Sequence, residues 1–152
     1  MAPLIVMIVS WIVVRAIGFT GVWDQTDTWR GALRFALAAR FAFTAISHFH
    51  PRSRPDLIRM VPANLPAPAH LVTATGILEF IGAIGLLVPQ LAGPAAYALC
   101  ALLVALFPAN VRAARKELMV AGRRAMPLVF RLPLQLFWIA ALWWVARAMS
   151  SV

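Results

Sequence analysis

Negative charge is scarce in this chain. Only Asp24, Asp27, Asp56, Glu79 and Glu117 carry it among 152 residues, and charged residues of both signs make up 12%, about half the share usual in soluble domains. Cysteine is nearly absent. Cys100 stands alone inside an apolar run, so an internal disulfide and C-x-x-C exchange chemistry are excluded, and the residue reads as a buried helix position. Neither a glycine-rich phosphate loop nor a nucleophile–base pair can be found, which leaves nucleotide or hydrolase chemistry of the soluble type without support. The histidines are His48, His50 and His70. They show no H-x-x-x-H spacing, so neither a metal nor a haem site is expected.

What is present is apolar bulk. Hydrophobic residues reach 62% and the mean hydropathy is +0.83. A soluble fold of this size could not cover such a chain with polar surface, whereas a bilayer accepts apolar faces. A spanning helix needs about 20 mostly apolar residues. Five stretches qualify: 3–22, 30–49, 70–88, 91–107 and 133–149. The first carries Arg15 within its apolar run and no A-x-A site follows it, so a cleaved signal peptide is not expected. Between the second and third spans lies a segment, 50–69, with Pro51, Pro55, Pro62, Pro66 and Pro68. It cannot form one continuous helix, and its stretch from Asp56 to Val61 reads as a short interfacial segment. The Pro89–Pro94 stretch reads as a tight turn, and 110–132 as the longest polar loop. The sequence thus predicts one all-α domain, 1–152, folded as an integral membrane helical bundle.

The net charge of +9 comes from 13 arginines and Lys116. With no soluble module to carry it, nucleic-acid binding is not expected. The charge is unevenly placed. Arg52, Arg54 and Arg59 oppose Asp56 in the proline-rich loop, and Arg112, Arg115, Lys116, Arg123, Arg124 and Arg131 oppose Glu117 in the second. The link after the first span holds Asp24, Asp27 and Arg30. The positive-inside rule then puts loops 50–69 and 110–132 and the N-terminus in the cytoplasm of a multi-pass cytoplasmic-membrane protein, and the C-terminus outside. The tryptophans Trp11, Trp23, Trp29, Trp138, Trp143 and Trp144 fall mostly near span ends, as an interfacial aromatic belt would.

Ionisable groups at membrane depth are costly and often functional. Glu79 sits at the middle of the third span and Arg40 at the middle of the second. Those spans are antiparallel neighbours, so an ion pair of Glu79 with Arg40 is the simplest neutralisation, with Arg15 as the alternative partner. Arg40, Thr44 and Ser47 share a helical face by their i, i+4, i+7 spacing, with His48 at its border. Thr75, Glu79 and Gly82 repeat that spacing, and Gly76, Gly82 and Gly85 allow a neighbour to approach closely. The two polar faces could enclose a ligand or simply satisfy each other.

Several runs, in order, resemble the DoxX-like (DoxX/MauE-type) family of small membrane proteins from about Arg34 onward. They are Phe41–Phe49, Met60-Val61-Pro62 with Leu65-Pro66, and Thr75-Gly76-Ile77-Leu78-Glu79 with Gly85-Leu86-Leu87. Phe107-Pro108-Ala109-Asn110 and Arg131-Leu132-Pro133-Leu134-Gln135 follow. The resemblance implies a four-helix membrane core, to which this chain adds an N-terminal span. It also implies redox association: some DoxX-like proteins are small subunits of quinone-linked sulfur oxidation, and others work with redox partner proteins. By match, Glu79 would be the central polar group, His48 and Asn110 (beside Pro108) would line the cytoplasmic mouth, and Arg131 and Gln135 would close it.

Three readings follow. The first is a redox-associated accessory subunit holding a quinone or other lipid-soluble ligand at Glu79, Arg40, His48, Thr44, Asn110, Arg131 and Gln135. Having no flavin or iron–sulfur motif, it would not catalyse alone and would work with a redox partner, with a homo-oligomer also conceivable. The second is a non-enzymatic bundle that binds or transports a small molecule or lipid. The third is a structural membrane protein whose buried charges only fix packing.

Overall fold

The computed structural model describes residues 2–21, 24–120 and 122–149. Six helices carry the chain: α1 (Ala2–Gly18), α2 (Trp29–Phe49), α3 (Arg54–Met60), α4 (Pro68–Leu87), α5 (Pro89–Arg115) and α6 (Leu128–Met149). A 3-10 turn at Asp24–Thr26 joins α1 to α2, and two-residue strands β1 (Met119–Val120) and β2 (Arg123–Arg124) pair between α5 and α6. Helix α2 packs against α4, α4 against α5, α5 against α6, and α6 returns to α2, so four helices close a ring. Helix α1 lies outside it, against α2.

Local chemistry sets the ends. The Thr28 side chain caps α2 by accepting the Gly31 N–H at 3.0 Å, which satisfies one of the donors every helix start leaves free. The same helix stops at Phe49, one residue short of the dipeptide His50-Pro51, where the proline disfavours helical backbone before it. Proline opens α4 (Pro68) and α5 (Pro89), positions where its missing N–H costs nothing.

Three helices are long and apolar enough to cross a membrane by length and composition: Pro68–Leu87, Pro89–Arg115 and Leu128–Arg147. Such helices are consistent with a membrane protein. Large apolar side chains on their outer faces are exposed, among them Ile81, Ile84, Leu91, Val104, Leu136 and Phe137. A water-soluble monomer rarely leaves so much apolar surface open. The other two expected spans differ. Helix α1 ends at Gly18 rather than 22, because Gly18 packs onto the backbone of Thr26 and the chain turns through Gly21, whose φ is +68°. Helix α2 has the expected length but carries Arg30, Arg34, Arg40 and His48. It is shielded by α1, α4 and α6, and its core face is built of buried Ala32, Leu33, Ala36, Leu37, Phe41 and Ala45.

The expected 110–132 loop is much shorter than the sequence suggests. Helix α5 continues through Pro108 to Arg115, and α6 begins at Leu128 with Pro133 inside it. Proline is tolerated inside a membrane helix where neighbouring helices supply donors to the backbone it frees. Near Pro108 the Gln135 side-chain amide ties α6 to α5, donating to the Leu103 carbonyl at 2.8 Å, one residue before Val104, whose carbonyl the proline leaves without its helical donor. The Pro89–Pro94 stretch is likewise helical, the opening of α5, and Val88 alone separates α4 from α5. The Asp56–Val61 stretch expected at the interface falls largely in helix α3 (Arg54–Met60). Its Met60 packs with Ala113 and Ala125 in a small apolar cluster at the basic end of the ring.

Candidate functional site

The candidate residues fall into two groups, each astride one helix seam. The first lies between α2 and α4. His48 is buried, and its Nδ1 lies 2.9 Å from the Val72 carbonyl oxygen. A carbonyl only accepts, so this contact makes Nδ1 the protonated nitrogen. The Thr75 hydroxyl is also near, 3.3 Å from Nδ1. The other ring nitrogen, Nε2, faces Glu79 Oε2 at 3.8 Å. That is too long for a direct hydrogen bond but close enough for strong mutual influence in the buried interior of the bundle. Nε2 is therefore the ring atom that can gain or lose a proton without breaking the Val72 contact, and it faces a carboxylate.

The close approach of the two helices is written into Gly76. A Cβ there would meet the His48 Cβ at 2.6 Å, so any side chain would push α4 from α2 and part His48 from Glu79. The expected Glu79–Arg40 ion pair does not form. Arg40 instead lies between aromatic rings, its guanidinium carbon 4.0 Å from the Phe41 ring centre and 4.5 Å from that of Trp138. This is a cation–π arrangement that holds charge without a carboxylate contact. Arg15, the alternative partner, is held in the same way by Phe19 and Trp29. Trp138 is thus a core residue at 4% exposure, not part of an interfacial belt. Trp23 lies outside the described residues.

This group is left chemically unfinished. Glu79 Oε2 and the Nε and Nη1 atoms of Arg40 are buried without a hydrogen-bond partner. Buried polar atoms in folded proteins almost always have one, supplied by protein, water or ligand. Thr44 does not contribute, since its hydroxyl bonds the Arg40 and Phe41 carbonyls of its own helix.

The second group joins α5 and α6. Arg131 Nη1 donates to Asn110 Oδ1 at 2.7 Å, Asn110 Nδ2 to Gln135 Oε1 at 3.4 Å, and Gln135 Nε2 to the Leu103 carbonyl. The structure gives His48 and Asn110 separate partners: His48 is turned inward against α4, and Asn110 is engaged with α6. Trp138, one helical turn beyond Gln135, brings the Arg40 guanidinium to the α6 face and links the two groups.

Arg54 is a residue that sequence reasoning counted only as loop charge. Its guanidinium donates to the His48 carbonyl at 3.0 Å, to the Ala69 carbonyl at 3.2 Å and to Thr73 Oγ1 at 2.8 Å, clamping the end of α2 to the start of α4. The signal was available: a cation just past a helix C-terminus meets unpaired carbonyls and the negative end of the helix dipole. Among the described residues no cluster of three or more His, Cys, Asp or Glu side chains suits a metal.

Fold and site together define a compact helical bundle with membrane-length helices and a charged cluster buried at one seam. The chain belongs to the family described as a domain of unknown function, DUF8561, whose profile matches residues 37–146. No curated protein and no solved structure matches the chain.

Proposed function

We propose that this chain is a multi-pass membrane subunit that holds the polar head of a lipid-soluble ligand, a quinone by preference, against Arg40, His48 and Glu79. In this reading α2, α4, α5 and α6 form a DoxX-like core, α1 is an added membrane helix, and the basic loops face the cytoplasm of a cell whose cytoplasmic membrane it occupies. The observation that carries the reading is the set of unpartnered buried atoms, Arg40 Nε and Nη1 and Glu79 Oε2.

A quinone fits this set. Its ring carbonyls accept hydrogen bonds of the kind that Arg40 has spare, the O–H of its reduced quinol form is the donor that Glu79 Oε2 lacks, and its apolar body suits the Phe41 and Trp138 rings against Arg40. When bound, it supplies two-electron, two-proton redox chemistry. The chain's own share is to orient the head through Arg40 and to hold a proton between His48 Nε2 and Glu79. The Val72 carbonyl fixes the ring orientation, so that proton stays on the side facing the carboxylate. With no flavin or iron–sulfur motif of its own, the chain would exchange electrons through a redox partner protein.

Native mass spectrometry of the full-length protein from mild detergent, after incubation with a short-tailed ubiquinone, tests the reading. The wild type is expected to retain a quinone adduct, Glu79→Gln and Arg40→Gln to lose it, and Asn110→Ala to keep it. A wild type that never retains quinone, or a Glu79→Gln variant that retains it equally, overturns the reading.

A further inference from the structure

At the basic end of the ring an open groove of about 620 Å³ runs between the segment after α3 and the last turns of α5. Its floor is apolar, formed by Pro62, Ala63, Pro108 and Val111. Its rim carries Arg112, Arg115 and Lys116 and no acidic residue. The nearby acids are occupied: Asp56 pairs with Arg59 at 3.4 Å and Glu117 with Arg124 at 3.5 Å. The three rim cations have no ion-pair partner among the described residues, and Arg112 Nε is buried without a hydrogen bond.

Depth adds a second, independent argument. Helix α5 has 27 residues, about 40 Å at a rise of 1.5 Å per residue. That matches a bilayer with its headgroup layers, about 40–45 Å, rather than the hydrocarbon alone, about 30 Å. With Pro89 at one headgroup layer, Arg112 to Lys116 stand in the other, at the level of lipid phosphates. Three unpaired cations above an apolar floor at that level match the two halves of one molecule, a phosphate head and the first carbons of an acyl chain.

We propose that this groove is a binding site for an anionic phospholipid, with Arg112, Arg115 and Lys116 on the phosphate and the proline-lined floor under the acyl chain. The site shares no lining residue with the Arg40, His48 and Glu79 group and rests on the membrane reading alone, not on the quinone.

The test titrates the full-length protein in mild detergent by native mass spectrometry with phosphatidylglycerol, with phosphatidylcholine of the same chains, and with inorganic phosphate. Phosphatidylglycerol is expected to bind at least about tenfold more tightly than phosphatidylcholine. The Arg115→Gln/Lys116→Gln variant, both positions exposed, is expected to lose about 25-fold, since each basic residue at a membrane surface is worth roughly fivefold. Arg52→Gln/Arg59→Gln, which removes two exposed cations of the same end outside the groove, is expected to keep the preference. Equal binding of the two lipids, or equal loss in both double variants, overturns the proposal. So does displacement by inorganic phosphate at concentrations comparable to the lipid, which would assign the site to a soluble anion.

Discussion

The α2–α4 seam and the α5–α6 seam both carry polar side chains through an apolar bundle, but they end differently. Between α5 and α6 the chain Arg131, Asn110, Gln135 closes on the Leu103 carbonyl, and none of the three side chains keeps a buried unpartnered atom. At the α2–α4 seam Glu79 keeps one, and Arg40 of α2, whose guanidinium reaches Trp138 of α6, keeps two. A satisfied network fixes helices in place and asks for nothing further. An unsatisfied one buried in the bundle is retained against a standing cost, which is why the functional hypothesis rests on α2–α4 and the structural one on α5–α6.

Four substitutions would break or sharpen this contrast. Glu79→Ala should have the largest effect. It removes the one acid near the buried Arg40 and His48, with which it makes no direct hydrogen bond, and should cost about 3 kcal/mol by leaving the Arg40 charge uncompensated, read as a lowered melting temperature in detergent; an unchanged melting temperature would mean that the aromatic rings alone hold that charge. Gly76→Ala should follow at roughly 2 kcal/mol, because its Cβ overpacks against His48. It should also weaken quinone retention, and a variant as stable as the wild type would show that α2 and α4 are less tightly apposed than described. Gln135→Leu should cost about 1 kcal/mol, in line with lost interhelical hydrogen bonds in membranes, and leave quinone retention intact. Loss of quinone there would erase the distinction between the seams. Arg131→Gln should be smallest, roughly 0.5 kcal/mol, again without effect on the ligand; a destabilisation matching that of Glu79→Ala would move the energetic centre to α5–α6.

Much of the helical plan was legible in the residues. The apolar runs predicted helices at all five places, and the proline-rich 50–69 segment indeed breaks before and after α3. Pro108 and Pro133 misled, because packing against neighbouring helices carries a helix through the one hydrogen bond a proline removes, and that packing, the Gln135 bond to the Leu103 carbonyl included, comes from another helix. The residues of the α2–α4 cluster were also identifiable, since Glu79 is the one acid within the apolar spans. Its partner was not. Choosing His48 over Arg40 depends on helix rotation and on the close approach at Gly76, and on Trp138 of α6 receiving the guanidinium. Helical spacing within α2 and α4 carries none of that information. Arg54 was legible only in part: its place just past the end of α2 points to carbonyl acceptors there, but the Ala69 carbonyl and the Thr73 hydroxyl are set by how α4 packs.

Val88 alone connects α4 to α5, whereas eighteen positions, 50–67, separate the ends of α2 and α4 at the opposite, basic end. The two seams of α4 therefore have unequal freedom. A one-residue joint acts like the spring of a clothes-peg, keeping α4 and α5 together at the far end. The long span beside it sets a generous tether on how far α2 and α4 can part. Entry of a bulky guest toward Glu79 is accordingly expected from the His48 end, with Arg54 as the latch that must let go. Spin labels on α2 and α4 at that end should report a wider distance distribution in Arg54→Ala than in the wild type, and identical distributions would argue against such a gate.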